Sequence, residues 1–498
     1  AMDTSLVPSV LLKALIGICI FVLFLYVWSC ICRWKYGISW NAVVVGFMHP
    51  YCDAGGGGER VLWRILAALD QASKQQPRVL LKRPIHVVIY TGDNSSPKNI
   101  LDKAQERFGI KLNEGVPITF VYLRTRCLLE AKWYPVLTLL GQAVGGVVVG
   151  GEALVRLVPH VWVDTTGLPS TLPLAAITGC TTAAYLHYPT ISTDMLWSVA
   201  TSRPGVVHNR AFIARSRILS CLKIGYYVAF AGLYGVMGAF ADLVMVNSNW
   251  TRAHIDRLWW LRRWCRRGEV HVVFPPCGTE DLQKLPLHGP GGRREKVILS
   301  VGQFRPEKDH PLQLRAMAHF IKKYGGSGAG CGVRLVLVGG CRGPEDQQRV
   351  HHLKQLAQDL GLQDRVEFVL NARYEVLRGW LGRAALGLHT MWNEHFGICL
   401  VEYMAAGLVV VAHRSGGPLA DIVQEGGGPG SSSTSSSSQL QTGFLAEAEE
   451  EYSEAMFRVF SQDMGTIRTN ARESVSRFSE QTFDAHFIAL FMPLIQNK

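Results

Sequence analysis

AVVVGFMHPYCDAGGGGERVLWRILAAL, Ala42 to Leu69, reads as strand, glycine turn and helix in one unbroken stretch. The run Ala42–Met48 is apolar and rich in valine without alternation, the pattern of a strand covered on both faces. Val61, Leu62, Ile65, Leu66 and Leu69 then recur at helical spacing, so a helix begins directly after Gly55–Gly58. Four glycines between strand and helix let backbone approach a ligand closely, and the helix start offers free N–H groups and a partial positive charge. An anion or sugar hydroxyls would fit there; a plain tight turn is the other reading of the same glycines. The stretch matches neither the spaced dinucleotide fingerprint nor a P-loop, since Gly-Lys-Ser/Thr occurs nowhere in the chain.

Working outward, the same strand signal returns at IHVVIY (Ile85–Tyr90), ITFVYL (Ile118–Leu123), HVWVD, TTAAYLH, DLVMVNS and VHVVFPP, each followed by a helical pattern. This alternation predicts a first Rossmann-like domain over 40–287. PLHGPGGRR (Pro286–Arg294) interrupts it, and VILSVG, RLVLVGG, RVEFV, AALGLH and LVVVAH then repeat it over 295–477. The expected fold class is α/β, two Rossmann-like domains facing across a cleft, with ligands held at the carboxyl ends of the strands. GGGPGSSSTSSSSQ, 426–439, has no apolar residue to bury and is expected to be a flexible insertion. Apolar positions at helical spacing over 478–498 predict a closing helix.

Ala14 to Cys32 contains no charge and is long enough to cross a bilayer, and no small-residue cleavage site follows it, so 1–36 is expected to be a retained transmembrane anchor. Lys13 before the span and Arg33 and Lys35 after it bias the body toward the cytosol. Ile224–Ala241 is a second uncharged run, for which a half-embedded or buried helix is preferred to a span, because a span would cut the βα alternation in two. Behind it, TRAHIDRLWWLRRWCRRGE sets six arginines among Trp259, Trp260 and Trp264, which suits either a lipid headgroup surface or a solvated helix face.

The net charge of +12 favours anionic partners. Nucleic acid is excluded as their class, since no zinc-finger spacing or RNA-binding aromatic signature accompanies the charge. The 12 cysteines are scattered without a C-x-x-C pair and read as reduced thiols. The sequons at Asn94 and Asn249 are expected to stay unmodified if the body is cytosolic.

The chemistry concentrates in two loops of the second domain. In SVGQFRPEKDHPLQLRA, Arg305 and Lys308 follow a strand and can hold a diphosphate, offsetting the charge that develops as its bond to a sugar breaks. In HTMWNEHFGICLVEYMAAG, Glu394 precedes a helix expected from about Phe396 to Ala406, and Glu402 lies two turns inside it. One carboxylate can accept hydrogen bonds from sugar hydroxyls and the other from ribose hydroxyls.

These features resemble the family 4 GT-B retaining glycosyltransferases of the glycogen synthase and mannosyltransferase type. Glu394 and Glu402 match that family's E-x7-E signature, GGGGER its glycine loop, and Arg305 with Lys308 its phosphate loop. Within the family, HPYCDAGGGGERVLW, YLHYPTISTDM, SVGQFRPEKDHPLQLRA and LHTMWNEHFGI are similar to the eukaryotic α-1,2-mannosyltransferases that act on dolichol-linked oligosaccharide at the endoplasmic reticulum. The resemblance implies GDP-mannose as donor and addition of the fourth and fifth mannoses to Man3GlcNAc2-pyrophosphoryl-dolichol. It implies a single-pass protein of the endoplasmic reticulum membrane with cytosolic catalytic domains, and makes other mannosyltransferases of the same pathway candidate partners.

By the same resemblance, His187, Glu394 and Lys308 are the catalytic set. Gly57, Gly58, Arg305, Lys308, Glu394, Phe396, Gly397 and Glu402 bind the donor, with Glu394 on the mannose hydroxyls and Glu402 on the ribose. Gln303 departs from the pattern, standing where many members carry the phosphate-binding arginine, so that Arg305 comes two positions later. The family is thought to retain configuration by same-face attack assisted by a donor phosphate oxygen, without a protein base. No D-x-D motif is present to seat a divalent ion, so no cofactor and no metal are expected. A catalytically inactive scaffold of the same fold, and an enzyme using a UDP-sugar, remain the alternatives.

Overall fold

The computed structural model describes residues 27–53, 55–75, 83–112, 115–192, 195, 217–265, 267–289, 293–426, 440–496 and 498. Most of the expected anchor therefore lies outside the described residues, which enter it in a helix at 27–35, and the expected insertion lies outside them from 427 to 439.

The first lobe is a parallel sheet of strands β1 (Val43–Met48), β2 (Ile85–Thr91), β3 (Ile118–Tyr122), β4 (Val161–Asp164), β5 (Thr181–Leu186), β6 (Leu243–Val246) and β7 (Val270–Val272), in the order β3-β2-β1-β4-β5-β6-β7. Every residue of β1 and β2 is buried, as uninterrupted valine and isoleucine runs require when helices cover both faces. Val45 sits in register between Val87 of β2 and Val161 of β4, which places β1 at the centre.

Helix α1 (Gly57–Gln75) covers one face of this sheet. The other face carries α2 (Thr138–Arg156) and α3 (Arg217–Gly238), and α4 (Asn249–Leu258) follows β6. In α2 the packing inverts the usual amphipathic arrangement. Its glycines face the protein, with Gly145 tight against the Leu128 carbonyl, Gly146 against Ser170 and Gly150 against Thr171, while Val144, Val147, Val148 and Val155 are exposed. Glycine in a helix costs up to about 1 kcal/mol relative to alanine, and here it allows backbone-close contact with the lobe.

The second lobe repeats the topology. Strands β8 (Glu295–Val301), β9 (Arg334–Gly339), β10 (Val366–Leu370), β11 (Ala384–His389), β12 (Val409–His413) and β13 (Gly443–Ala446) pair in parallel in the order β10-β9-β8-β11-β12-β13. Helix α5 (His310–Tyr324) packs on one face and α6 (Ile398–Ala406) on the other. The two parallel α/β sheets match the expected fold class.

After Phe478 the chain crosses back, and α7 (Glu480–Gln496) buries Phe483, Phe487 and Phe491 in the core of the first lobe beside α1. Arg64 clamps it by donating to both carboxylate oxygens of Asp484, at 2.7 and 2.6 Å, and to Glu480 at 2.7 Å. Asp421 of the second lobe accepts hydrogen bonds from the Asn249 backbone (2.9 Å) and side-chain amide (2.5 Å) at the start of α4. The lobes are thus fastened on both sides of the cleft.

Phe487 is fully buried at the stacked centre of this stripe. Phe487→Ala should therefore cost roughly 3–5 kcal/mol, read as a lowered denaturation midpoint, and Arg64→Ala should cost less because its partners keep some water contact.

Candidate active site

In both sheets the strand order reverses beside the first strand, between β1 and β4 and between β8 and β11. Loops leaving the carboxyl ends of strands at such a reversal diverge and leave a crevice. A cleft of about 590 Å³ opens there, lined from the first lobe by Gly56, Gly57, Gly58, His187 and Asn247. The second lobe contributes Gln303, Arg305, Lys308, Arg342, Met391 and the run Glu394–Cys399. Of the residues singled out from the sequence, Gly57, Gly58, His187, Arg305, Lys308, Glu394, Phe396 and Gly397 meet in this cleft.

Lys308 closes a short 3₁₀ turn after β8, and its backbone carbonyl accepts a hydrogen bond from the Thr390 hydroxyl at 2.9 Å, which ties it to the loop after β11. Its ammonium donates to Glu394 Oε2 at 2.5 Å and approaches Met391 Sδ at 3.3 Å. His389, the last residue of β11, lies 3.1 Å from the same carboxylate oxygen. Since a carboxylate only accepts, His389 Nε2 carries the proton, and burial holds its ring below the usual histidine range. Burial pushes the Glu394 carboxyl up, but the His389 hydrogen bond and the Lys308 charge outweigh it and hold the group well below the usual carboxylate range. Burial likewise disfavours the Lys308 cation, and the Glu394 charge reverses that effect, leaving its pKa raised. Both groups stay ionised in the cleft.

Helix α6 starts later than its sequence suggests, at Ile398, because Gly397 adopts φ 109°, a backbone state a side chain would strain. Leu400 and Val401 donate back to the Gly397 carbonyl, so the N–H groups of Ile398 and Cys399 precede the first intrahelical bonds and face the cleft beside Lys308. Arg305, half exposed and only loosely paired with Glu307 at 3.9 Å, stands at the outer rim. A diphosphate in this corner would meet two side-chain cations and a helix start.

Across the cleft, α1 begins at Gly57 and its glycines provide the clearance. A Cβ on Gly57 would lie 3.4 Å from Ile398 of the other lobe, and one on Gly58 would lie 3.3 Å from His187 Nε2. His187 hydrogen-bonds the Thr165 backbone, and its buried Nε2 has no hydrogen-bond partner among the described residues. Burial pulls its pKa down to about 4, so near neutral pH Nε2 presents a lone pair to a sugar hydroxyl. Asn247 fixes the loop by donating to the His187 carbonyl at 2.8 Å. Tyr188 next to it stacks on His395 at 4.0 Å, with Trp250 on the same ring at 5.6 Å, an aromatic bridge between the lobes.

Glu402 does not line the cleft. It lies about one turn into α6, where burial raises its carboxyl and the Arg60 charge partly opposes that. The two glutamates of the signature thus sit in opposite electrostatic settings. His389, His395, Asn247 and Arg342 were not singled out from the sequence; the histidines flanking Glu394 in LHTMWNEHFG were the available signal.

Two doubly wound parallel lobes with a charged switch-point cleft define the class as a GT-B glycosyltransferase. The fold agrees with solved structures of that class. Sucrose-phosphate synthase from Thermosynechococcus elongatus aligns with a TM-score of 0.59 at 19% identity, covering 91% of this chain and 100% of that one. Anabaena Alr3699/HepE, with UDP and glucose bound, aligns with a TM-score of 0.53 at 18% identity over 90% and 98%. Residues 42–259 match the ALG11 mannosyltransferase N-terminus family, and 290–476 match glycosyl transferases group 1. The mouse GDP-Man:Man(3)GlcNAc(2)-PP-Dol alpha-1,2-mannosyltransferase is 46% identical over 91% of this chain and 87% of its own length. The human one is 46% identical over 90% and 86%, and the Dictyostelium discoideum one 39% over 93% and 87%. The chain belongs to this family of α-1,2-mannosyltransferases.

The buried histidines make folding acid-sensitive. Burial lowers His187, His395 and His310 to about 4, below their unfolded value of 6.5. The unfolded chain takes up protons that the folded chain refuses, so stability is full above pH 6.5 and falls as pH drops toward 4. Asp164, raised by burial to about 6, opposes this. Stability measured by chemical denaturation should be lower at pH 5.5 than at 7.5 by on the order of 1–3 kcal/mol.

Proposed function

We propose that the chain is a retaining α-1,2-mannosyltransferase that moves mannose from GDP-mannose to a lipid-pyrophosphate oligosaccharide, adding the fourth and fifth mannoses to Man3GlcNAc2-pyrophosphoryl-dolichol. The observation that carries the reading is the Lys308–Glu394 pair at the centre of a cleft whose far wall is Gly57, Gly58 and His187, in a chain so similar to enzymes bearing that name.

Glu394, kept ionised, accepts from the mannose hydroxyls, and the neutral His187 accepts at the opposite edge of the sugar. The bond from mannose C1 to the distal phosphate oxygen breaks, and the negative charge that collects on GDP is met by Lys308, Arg305 and the amide groups at the start of α6. The acceptor hydroxyl bonds to C1 on the face the phosphate leaves, and its proton passes to the departing phosphate oxygen. No protein base is needed. Fixed cations do the work a divalent ion would do, so the reaction is metal-independent.

The chain works at the endoplasmic reticulum membrane with its lobes in the cytosol, held by the apolar segment at 14–32. Two features support the cytosolic side. The Asn249 side-chain amide, the atom a glycan would occupy, is bonded to Asp421, and the described cysteines are free thiols.

Incubated with GDP-mannose and the trimannosyl lipid pyrophosphate, the protein should yield products heavier by one and two hexoses, at the same rate in chelator. Lys308→Ala and Glu394→Ala should each lower kcat by on the order of 100-fold or more. Transfer from a UDP-sugar in preference, a strict manganese requirement, or an unaffected Glu394→Ala would each overturn the assignment.

A further inference from the structure

Helices α2 and α3 are both long and apolar enough to lie in hydrocarbon, and only about 33% of each span is buried in the protein. Their outward residues are apolar on both: Val144, Val147, Val148 and Val155 on α2, and Leu222, Val228, Leu233 and Val236 on α3. A helix turned toward water would carry polar residues there. The rim is of another kind. Lys132 and Trp133 precede α2, and Trp260 and Trp264, 51% and 83% exposed, lie beyond α3 among arginines, a combination that matches lipid headgroups in both charge and amphipathicity.

Not all of that arginine-rich segment faces outward. Arg262 is buried and donates to the Ala241 and Asp242 carbonyls, locking the segment against the end of α3. The tryptophan edge is therefore fixed in place.

Between the two helices a crevice of about 180 Å³ is lined by Leu139, Ala143, Leu168, Phe230, Met237 and Thr190. Gln142 at its wall donates to the Leu129 carbonyl at 2.8 Å, and Ser170 and Thr190 place two hydroxyls in a lining that is otherwise mostly apolar. Thr190 in the lining donates to the Gly167 carbonyl at 3.3 Å. Thr190 lies on the loop that begins with His187 in the donor cleft and continues through Tyr188 against His395. A chain entering between the helices from the bilayer would reach the catalytic loop at its far end.

We propose that this crevice receives the first isoprene units of a polyprenyl-pyrophosphate acceptor, while the outward faces of α2 and α3 rest in the bilayer. The proposal rests on the acceptor class given above. The crevice excludes water from the prenyl stem and aims the pyrophosphate-linked glycan at the cleft, so the lipid becomes part of what the enzyme recognises.

The test uses the full chain in phosphatidylcholine nanodiscs, with the trimannosyl glycan on a long polyprenyl pyrophosphate or on a short water-soluble alkyl group. Filling the crevice by Ala143→Phe or Met237→Trp should lower the ratio of kcat/KM, long acceptor over short, at least tenfold. A benzophenone-bearing prenyl pyrophosphate should cross-link the native protein within Thr138–Arg156 or Arg217–Gly238, and Ala143→Phe should abolish that adduct. An unchanged ratio, an adduct elsewhere, or equal labelling by a benzophenone phospholipid would overturn the proposal. If the native protein transferred mannose to neither acceptor, the assigned reaction would fail and the cross-link would still decide the crevice. Should the bulky variants misfold, Ala143→Leu and the native cross-link give the same decision.

Discussion

All strand pairs in both sheets are parallel, and that constraint organises everything else. Parallel strands send their carboxyl ends to one edge, so each sheet gathers its ligand loops on a single side. Facing the two edges brings Gly57 and Gly58 after β1, His187 after β5, Lys308 after β8 and Glu394 after β11 into one cleft. They come from four different strand ends. The chain crosses from the second lobe back to the first, where the phenylalanines of α7 and the Arg64 clamp anchor it beside α1.

Inside the cleft, burial sorts charged from neutral groups. Desolvation works against Lys308 and Glu394, and a compensating partner keeps each of them charged. Lys308 and Glu394 compensate each other, with His389 as a third member. His187 has no such partner and stays neutral. The result is a cationic corner suited to a diphosphate beside acceptor atoms suited to sugar hydroxyls.

The opposite side of the first lobe follows a different rule. Where α2 meets the protein it sets Gly145, Gly146 and Gly150 beside Val149, Ala153 and Leu154, and where it meets the exterior it carries Val144, Val147, Val148 and Val155. Such a surface is stable only against something as apolar as itself. Helices α2 and α3 cover the same sheet that carries His187 at the end of β5, so this apolar surface and the donor cleft belong to one rigid layer.

Much was legible in the sequence because it depends on local pattern. Uninterrupted valine runs define buried parallel strands, and Gly55–Gly58, Lys308 and the Glu394 region stand at strand ends where βα units place ligands. Other facts depend on which distant residues end up as neighbours. Phe483, Phe487 and Phe491 read as one apolar helix face, but only the chain crossing decides that they join the first core rather than the second. Glu394 and Glu402 read as equals, yet their partners set one well below and the other above the usual carboxylate range. The outward face of α2 could not be assigned from composition, since glycine and valine alternate along it without a polar stripe, and packing alone turned the small residues inward. By itself the sequence determined the strands, the glycine turn and the identity of the charged residues, all set by interactions within a few residues along the chain. The tertiary structure decided which charges are paired, which histidine is neutral and which helix faces stay exposed and apolar, because desolvation and packing depend on neighbours far away in sequence.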